Sequence, residues 1–167
     1  MAQLLKACSA KWGMEPEHRP LEQSSSRPQR RRRPTRRPPV ILIADDTTDS
    51  RDLYAEYFET RGFSVVTARD GTGAVQAALE HVPEVIVMDL AMPQIDGLTA
   101  IQRIKADARL QQTRVILLTG YHFALEKSAQ EAGADLFLRK PCLPERLEQH
   151  VNALRQGQGP ARDIPVT

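Results

Sequence analysis

The sequence predicts an α/β domain: a doubly wound, five-stranded parallel sheet with helices on both faces. Three observations predict it. Five short strand-like runs recur, and Val85 to Met88 above all is rich in β-branched residues with no polar/apolar alternation, as a strand covered on both faces should be. Between these runs, apolar residues recur at helical spacing. Strand and helix therefore alternate throughout, an order that requires parallel strands joined by helical crossovers. No internal repeat or second core interrupts the pattern.

The first strand is Val40-Ile41-Leu42-Ile43-Ala44, which runs straight into Asp45-Asp46. Leu53, Tyr54, Tyr57 and Phe58 supply the apolar positions of the helix that follows, and Gly62 is placed to end it. Residues 63–67 form the second strand. Asp70 caps the next helix, whose apolar positions include Val75, Leu79 and Val82. The third strand, Val85-Ile86-Val87-Met88, ends on Asp89 and is broken soon after at Pro93. Leu98, Ile101 and Ile104 mark the third helix, and Val115-Ile116-Leu117-Leu118-Thr119 the fourth strand. A helix with Leu125, Ser128, Ala129 and Ala132 on one side stops at Gly133. Leu136-Phe137-Leu138 is a short fifth strand ending in Arg139-Lys140-Pro141. Leu143, Leu147, Val151 and Leu154 give the last helix its buried stripe, with Pro144 in its first turn.

This domain occupies residues 39–156 of 167, between a basic arm (1–38) and a short tail (157–167). Aromatic residues make up only 5% of the chain, so its core is expected to be aliphatic. The formal charge of +2 conceals two regions of opposite sign. Residues 1–39 hold ten Lys/Arg against three acids, a balance of +7, so the remainder carries −5. Six of the twelve prolines also fall within residues 1–39, around the blocks Arg30-Arg31-Arg32-Arg33 and Arg36-Arg37. Such a segment cannot bury enough apolar surface to offset its ordering entropy, and it reads as a solvated leader. Electrostatic attachment to nucleic acid or an anionic membrane is the alternative. Cys8 and Cys142 lack metal-ligand or CxxC spacing, which fits free thiols in a reducing cytosol. No apolar run approaches the ~20 residues of a membrane span, so a cytoplasmic protein without membrane insertion is expected.

The carboxyl ends of the strands hold the chemistry. Asp45-Asp46, Asp89, Thr119 and Lys140 all open toward one edge of such a sheet, where ligands bind. Three carboxylates with room for water suit Mg²⁺. A hydroxyl and an ammonium beside such a metal suit the oxygens of a phosphoryl group. The absence of His and Cys from the set argues against zinc and thiol chemistry. Taken singly, each residue has a plainer reading: Asp46 as a helix cap, Thr119 as loop chemistry, Lys140 as a surface charge.

The ordered set resembles the receiver domain of bacterial two-component response regulators, the CheY-like group. The matching residues are Asp45-Asp46, then Asp89-x-x-Met92-Pro93-x-x-Asp96-Gly97, then Thr119 and Lys140-Pro141. The resemblance implies a flavodoxin-like strand order of 2-1-3-4-5 and a phosphoacceptor at Asp89, supplied by a histidine kinase or histidine phosphotransfer protein. It implies Mg²⁺ held by Asp46, Asp89 and the carbonyl of Ala91, with Asp45 acting through water. Thr119 and Lys140 would bind the phosphoryl oxygens. Thr119 and Phe137 would act as the switch, altering a face of helix four, strand five and helix five that meets a downstream protein or a second copy. Pro93, Gly97 and Pro141 would be structural, with Lys140-Pro141 cis. Such a protein accepts a phosphoryl group without being a turnover enzyme. Ala91 and Tyr121 offer no carboxylate or amide to orient an attacking water, so slow loss of the phosphoryl group is expected.

Other classes fit less well. An aspartyl-phosphate phosphohydrolase would carry an acid/base Asp where Ala91 stands. A dinucleotide fingerprint at Gly71-Thr72-Gly73 lacks its third glycine, which is Gln76, and follows the wrong strand. Output through nucleic acid binding by the arm, or an unphosphorylated scaffold role, remains compatible with the receiver reading.

Overall fold

A computed structural model describes residues 37–120 and 126–158. Cys8, the basic arm to residue 36, Tyr121, Leu125 and the tail from residue 159 lie outside the described residues. The chain divides into two units, Met1–Thr35 and Arg36–Thr167, and the described residues belong to the second.

Strands β1 (Val40–Ala44), β2 (Ser64–Ala68), β3 (Val85–Met88), β4 (Arg114–Thr119) and β5 (Leu136–Arg139) alternate with five helices. These are α1 (Thr48–Thr60), α2 (Gly71–His81), α3 (Gly97–Ala106), α4 (Glu126–Ala132) and α5 (Pro144–Arg155). The sheet order is β2-β1-β3-β4-β5, with all pairs parallel. The CheY-like order expected from the resemblance is therefore the observed one.

The apolar strand runs divide between two cores because successive side chains point to opposite faces. Leu42, Ala44, Ile86, Met88, Val115 and Leu117 meet α2, α3 and α4 on one face. Ile41, Ile43, Val85, Val87, Ile116 and Leu118 meet Tyr54 and Phe58 of α1 and Leu147, Val151 and Leu154 of α5 on the other. Burial on both faces explains why the inner strands β1, β3 and β4 do not alternate in polarity.

The helix boundaries follow local chemistry. Asp70 accepts from the Gly73 amide at 2.7 Å and caps α2, as predicted. Gly62 at φ +84 and Gly133 at φ +101 follow α1 and α4 in the left-handed region that favours glycine.

Three apolar residues placed inside by periodicity lie outside. Leu53 is 55% exposed, one position and about 100° round the helix from the buried Tyr54. Leu143 is 72% exposed because it is the extended residue before α5, not part of its stripe. Val82 is the left-handed C-cap of α2 and 48% exposed. β2 also starts one residue later than expected, leaving Phe63 packed against Phe58 at a ring separation of 5.2 Å.

Candidate functional site

The residues singled out at the strand ends are joined to the sheet by its own hydrogen bonds. The Asp45 amide donates to the Ala68 carbonyl at 3.1 Å, and the Asp89 amide to the Ala44 carbonyl at 2.8 Å. The Lys140 amide donates to the Thr119 carbonyl at 2.9 Å. The parallel ladder thus continues one step past each strand, bringing Asp45, Asp89 and Lys140 to a common edge. The Lys140-Pro141 peptide is cis.

Lys140 bridges the two buried acids. Its Nζ lies 2.7 Å from Asp45 Oδ2 and 3.2 Å from Asp89 Oδ1. Asp45 Oδ1 accepts from the Thr47 amide at 2.9 Å, so both oxygens of Asp45 are engaged. Burial pushes the Asp89 carboxyl above its ordinary range, and the nearby Asp45 adds to that, while the Lys140 ammonium opposes it. Burial works against the Lys140 charge, but the hydrogen bond to Asp45 and the charge of Asp89 hold its pKa above the usual lysine value.

Asp46 differs from both in being exposed. It is not the helix cap: the N-cap of α1 is Thr47, whose hydroxyl lies 3.4 Å from Asp46 Oδ1. Asp45, Asp46 and Asp89 each offer an oxygen within 4.8 Å of the others. The donors are all hard oxygens, two buried and one exposed, and a desolvated carboxylate gains from a cation beside it. This set fits Mg²⁺ better than a softer metal.

The β3–α3 loop is folded tightly behind Asp89. Leu90 carbonyl accepts from the amides of Met92 at 3.2 Å and Gly97 at 2.9 Å, and Gln94 turns the chain at φ +69. Asp96 caps α3 by accepting from the Thr99 amide at 2.7 Å. A Cβ at Gly97 would stand 2.2 Å from the Asp89 carbonyl oxygen, so only glycine fits there. Gly71 is explained in the same way: its Cβ would stand 2.2 Å from the Ile95 carbonyl oxygen. That glycine serves packing of the loop on α2, not a dinucleotide turn. Ala91 and Pro93 lie exposed on the loop, and Met92 is buried.

Thr119 ends β4 fully buried, and Phe137 is half-buried on β5. Phe137 lines a groove of about 410 Å³ with Glu126, Arg139, Lys140, Cys142 and Arg146. The groove lies on the face of α4, β5 and α5. Two contacts had no signature in the sequence: Arg51 reaches the Asp45 carbonyl at 2.9 Å, and Tyr54 reaches the Cys142 carbonyl at 2.8 Å. Their acceptors are main-chain atoms, which carry no residue-type signal.

Comparison with known proteins agrees with this fold. The family model for the response regulator receiver domain matches residues 41–152. Response regulator Rre1 of Synechocystis is 32% identical over 121 residues, covering 71% of this chain and 52% of Rre1. Chemotaxis protein CheY of Bacillus subtilis is 36% identical over 111 residues, covering 65% of this chain and 90% of CheY. The chain therefore spans about half the length of Rre1 and most of that of CheY. The structure of a CheX-CheY-BeF3-Mg complex from Borrelia burgdorferi is similar at a TM-score of 0.65 and 28% identity, covering 70% of this chain and 89% of that one.

Proposed function

This chain belongs to the family of response regulator receiver domains, and from that membership we propose that Asp89 accepts a phosphoryl group and thereby switches a protein-binding face. The observation that carries the reading is the Asp45–Lys140–Asp89 cluster at the edge of the sheet, with Asp46 exposed beside it. The donor is a histidine kinase or a histidine phosphotransfer protein. In the transfer, a phosphorus–nitrogen bond to the donor imidazole breaks as a bond forms from an Asp89 carboxylate oxygen to phosphorus. The donor imidazole keeps the bonding pair and takes up a proton.

Asp46, Asp89 and the Ala91 carbonyl would hold Mg²⁺ directly. Asp45 would act through water, consistent with both of its oxygens already accepting hydrogen bonds. When bound, this cation offsets the repulsion between a carboxylate and an approaching phosphoryl dianion. Lys140 stands within reach of Asp89 and would move from neutralising two acids to binding phosphoryl oxygens. Thr119 ends the neighbouring strand and supplies a hydroxyl for the same oxygens. Phe137, on the adjacent strand, couples this event to the groove on the face of α4, β5 and α5. A downstream protein or a second copy of the chain reads that face.

The protein acts as an acceptor and not as a turnover enzyme. We take the receiver to span residues 39–156. No described helix is long and apolar enough to cross a membrane. The basic blocks at 30–33 and 36–37 favour one further reading, in which the arm binds nucleic acid. That binding would be steeply salt-dependent and lost on deleting residues 1–38.

Phosphate-affinity electrophoresis after incubation with Mg²⁺ and a small acyl phosphate tests the central reading. The native chain should shift and Asp89→Asn should not. A shift that survives Asp89→Asn, or none in the native chain with active donor, would sink it.

A further inference from the structure

Helix α1 sends two side chains, one turn apart on a shared flank, to main-chain carbonyls on opposite sides of the site. Arg51 Nη1 donates to the Asp45 carbonyl at 2.9 Å, and its Nη2 lies 3.3 Å from Thr48 Oγ1. The Tyr54 hydroxyl donates to the Cys142 carbonyl at 2.8 Å, bridging 88 positions of sequence. The Asp45 carbonyl belongs to the peptide that leads into Asp46. Cys142 lies two residues beyond Lys140, across the intervening Pro141.

We infer that Arg51 and Tyr54 are a pair of positioning residues, Arg51 setting the Asp46 carboxylate and Tyr54 setting the Lys140 ammonium. The inference rests on the reading of the site as a Mg²⁺-dependent phosphoryl acceptor. Arg51 stands outside both apolar cores, and Tyr54 contributes its ring to one of them whether or not it bears a hydroxyl. Burial, with smaller contributions from Cys142 and Asp45, pushes the Tyr54 phenol up to about 12, so it remains a donor at physiological pH.

Charge alone predicts the opposite result for Arg51. A guanidinium beside a cation site repels the cation, so its removal should tighten Mg²⁺ binding. Loss of positioning should weaken it. The sign of the change at Arg51 therefore separates the two effects. Arg51→Lys keeps the charge but not the planar fork that reaches two acceptors at once. Tyr54→Phe keeps the ring and removes one hydrogen bond.

The test uses the full chain and two probes. Mg²⁺ binding is measured by titration calorimetry, and fluoroberyllate binding at saturating Mg²⁺ by fluorine NMR. Arg51→Met should weaken Mg²⁺ binding about fivefold, the factor expected for one lost hydrogen bond, and Arg51→Lys should fall between it and the native chain. Tyr54→Phe should leave Mg²⁺ affinity within about twofold and weaken fluoroberyllate about fivefold. Tighter or unchanged Mg²⁺ binding in Arg51→Met would overturn the inference. So would native fluoroberyllate binding in Tyr54→Phe, or an equal loss of both probes in both variants. If the native chain itself takes up neither probe, or takes up fluoroberyllate equally as Asp89→Asn, the functional reading falls and the inference with it.

Discussion

Replacing Gly97 by alanine puts one methyl group where the backbone of Asp89 and Leu90 already stands. The new Cβ would lie 2.2 Å from the Asp89 carbonyl oxygen and 3.0 Å from Leu90 Cα. Relief requires a displacement of about 1 Å, and α3 cannot retreat freely. Its N-terminus is held by the Gly97 amide on the Leu90 carbonyl and by the Asp96 cap. Overpacking of this kind costs about 1–3 kcal/mol. Breaking the Gly97–Leu90 hydrogen bond to make room adds about 1 kcal/mol. The expected loss in urea denaturation is therefore about 2–4 kcal/mol. The displaced atom belongs to Asp89, so Asp89 phosphorylation by a small acyl phosphate should also slow, by about 100-fold for a shift near 1 Å. A variant within about 0.5 kcal/mol of native stability, phosphorylated at the native rate, would refute the reasoning.

Three other outcomes are expected. Burial raises the Asp135 carboxyl, but hydrogen bonds from Lys105, the Val115 amide and Arg114 outweigh it and hold the group below its ordinary range. A depressed carboxyl stabilises the fold above its unfolded pKa of ~3.9, and that contribution is lost as pH falls through the folded value. Asp135→Asn should thus cost about 1.5–3 kcal/mol in urea denaturation at pH 7, with the gap to native closing in acid. Lys140→Met leaves Asp45 and Asp89 facing each other without their shared ammonium. Because Asp89 is already raised, its further rise makes the variant's deficit grow as pH climbs above ~3.9. We expect about 2 kcal/mol at pH 7, less at pH 4, and partial recovery on adding Mg²⁺; urea midpoints under these conditions check it. Finally, with Ala91 at one of the two positions flanking the acceptor chemistry, the phosphorylated chain should persist for minutes or longer; a half-life of seconds in purified protein with Mg²⁺ would contradict this.

The sheet and its carboxyl edge were legible because both leave residue-type signals. Uninterrupted apolar runs mark strands buried on two sides, and acids or a lysine directly after such runs mark the edge they share. Helix facing was less legible. Leu53 and Tyr54 are both apolar enough for a buried stripe, and only packing against the sheet decides that Tyr54 faces inward. Leu143 failed for a different reason: it precedes Pro144, and a helix that starts at a proline leaves the residue before it extended. Asp135 carries no local pattern that sets it apart, yet it ties α3 to β4 through Lys105 and Arg114. Such hubs depend on partners scattered over 30 positions of sequence, which no local pattern encodes.

The rungs that tie Asp89 and Lys140 to their neighbouring strands have a kinetic meaning. An acceptor carried on a free loop could unfasten by itself, and its availability would vary with that local opening. Here the amides of both residues close onto carbonyls of the central strands β1 and β4. Freeing either amide requires breaking a bond to the sheet, so both should exchange more slowly than amides of the loops that follow them. On the reading proposed above, the backbone of Asp89 is thus held by the sheet, and the side chains around it set how the site responds.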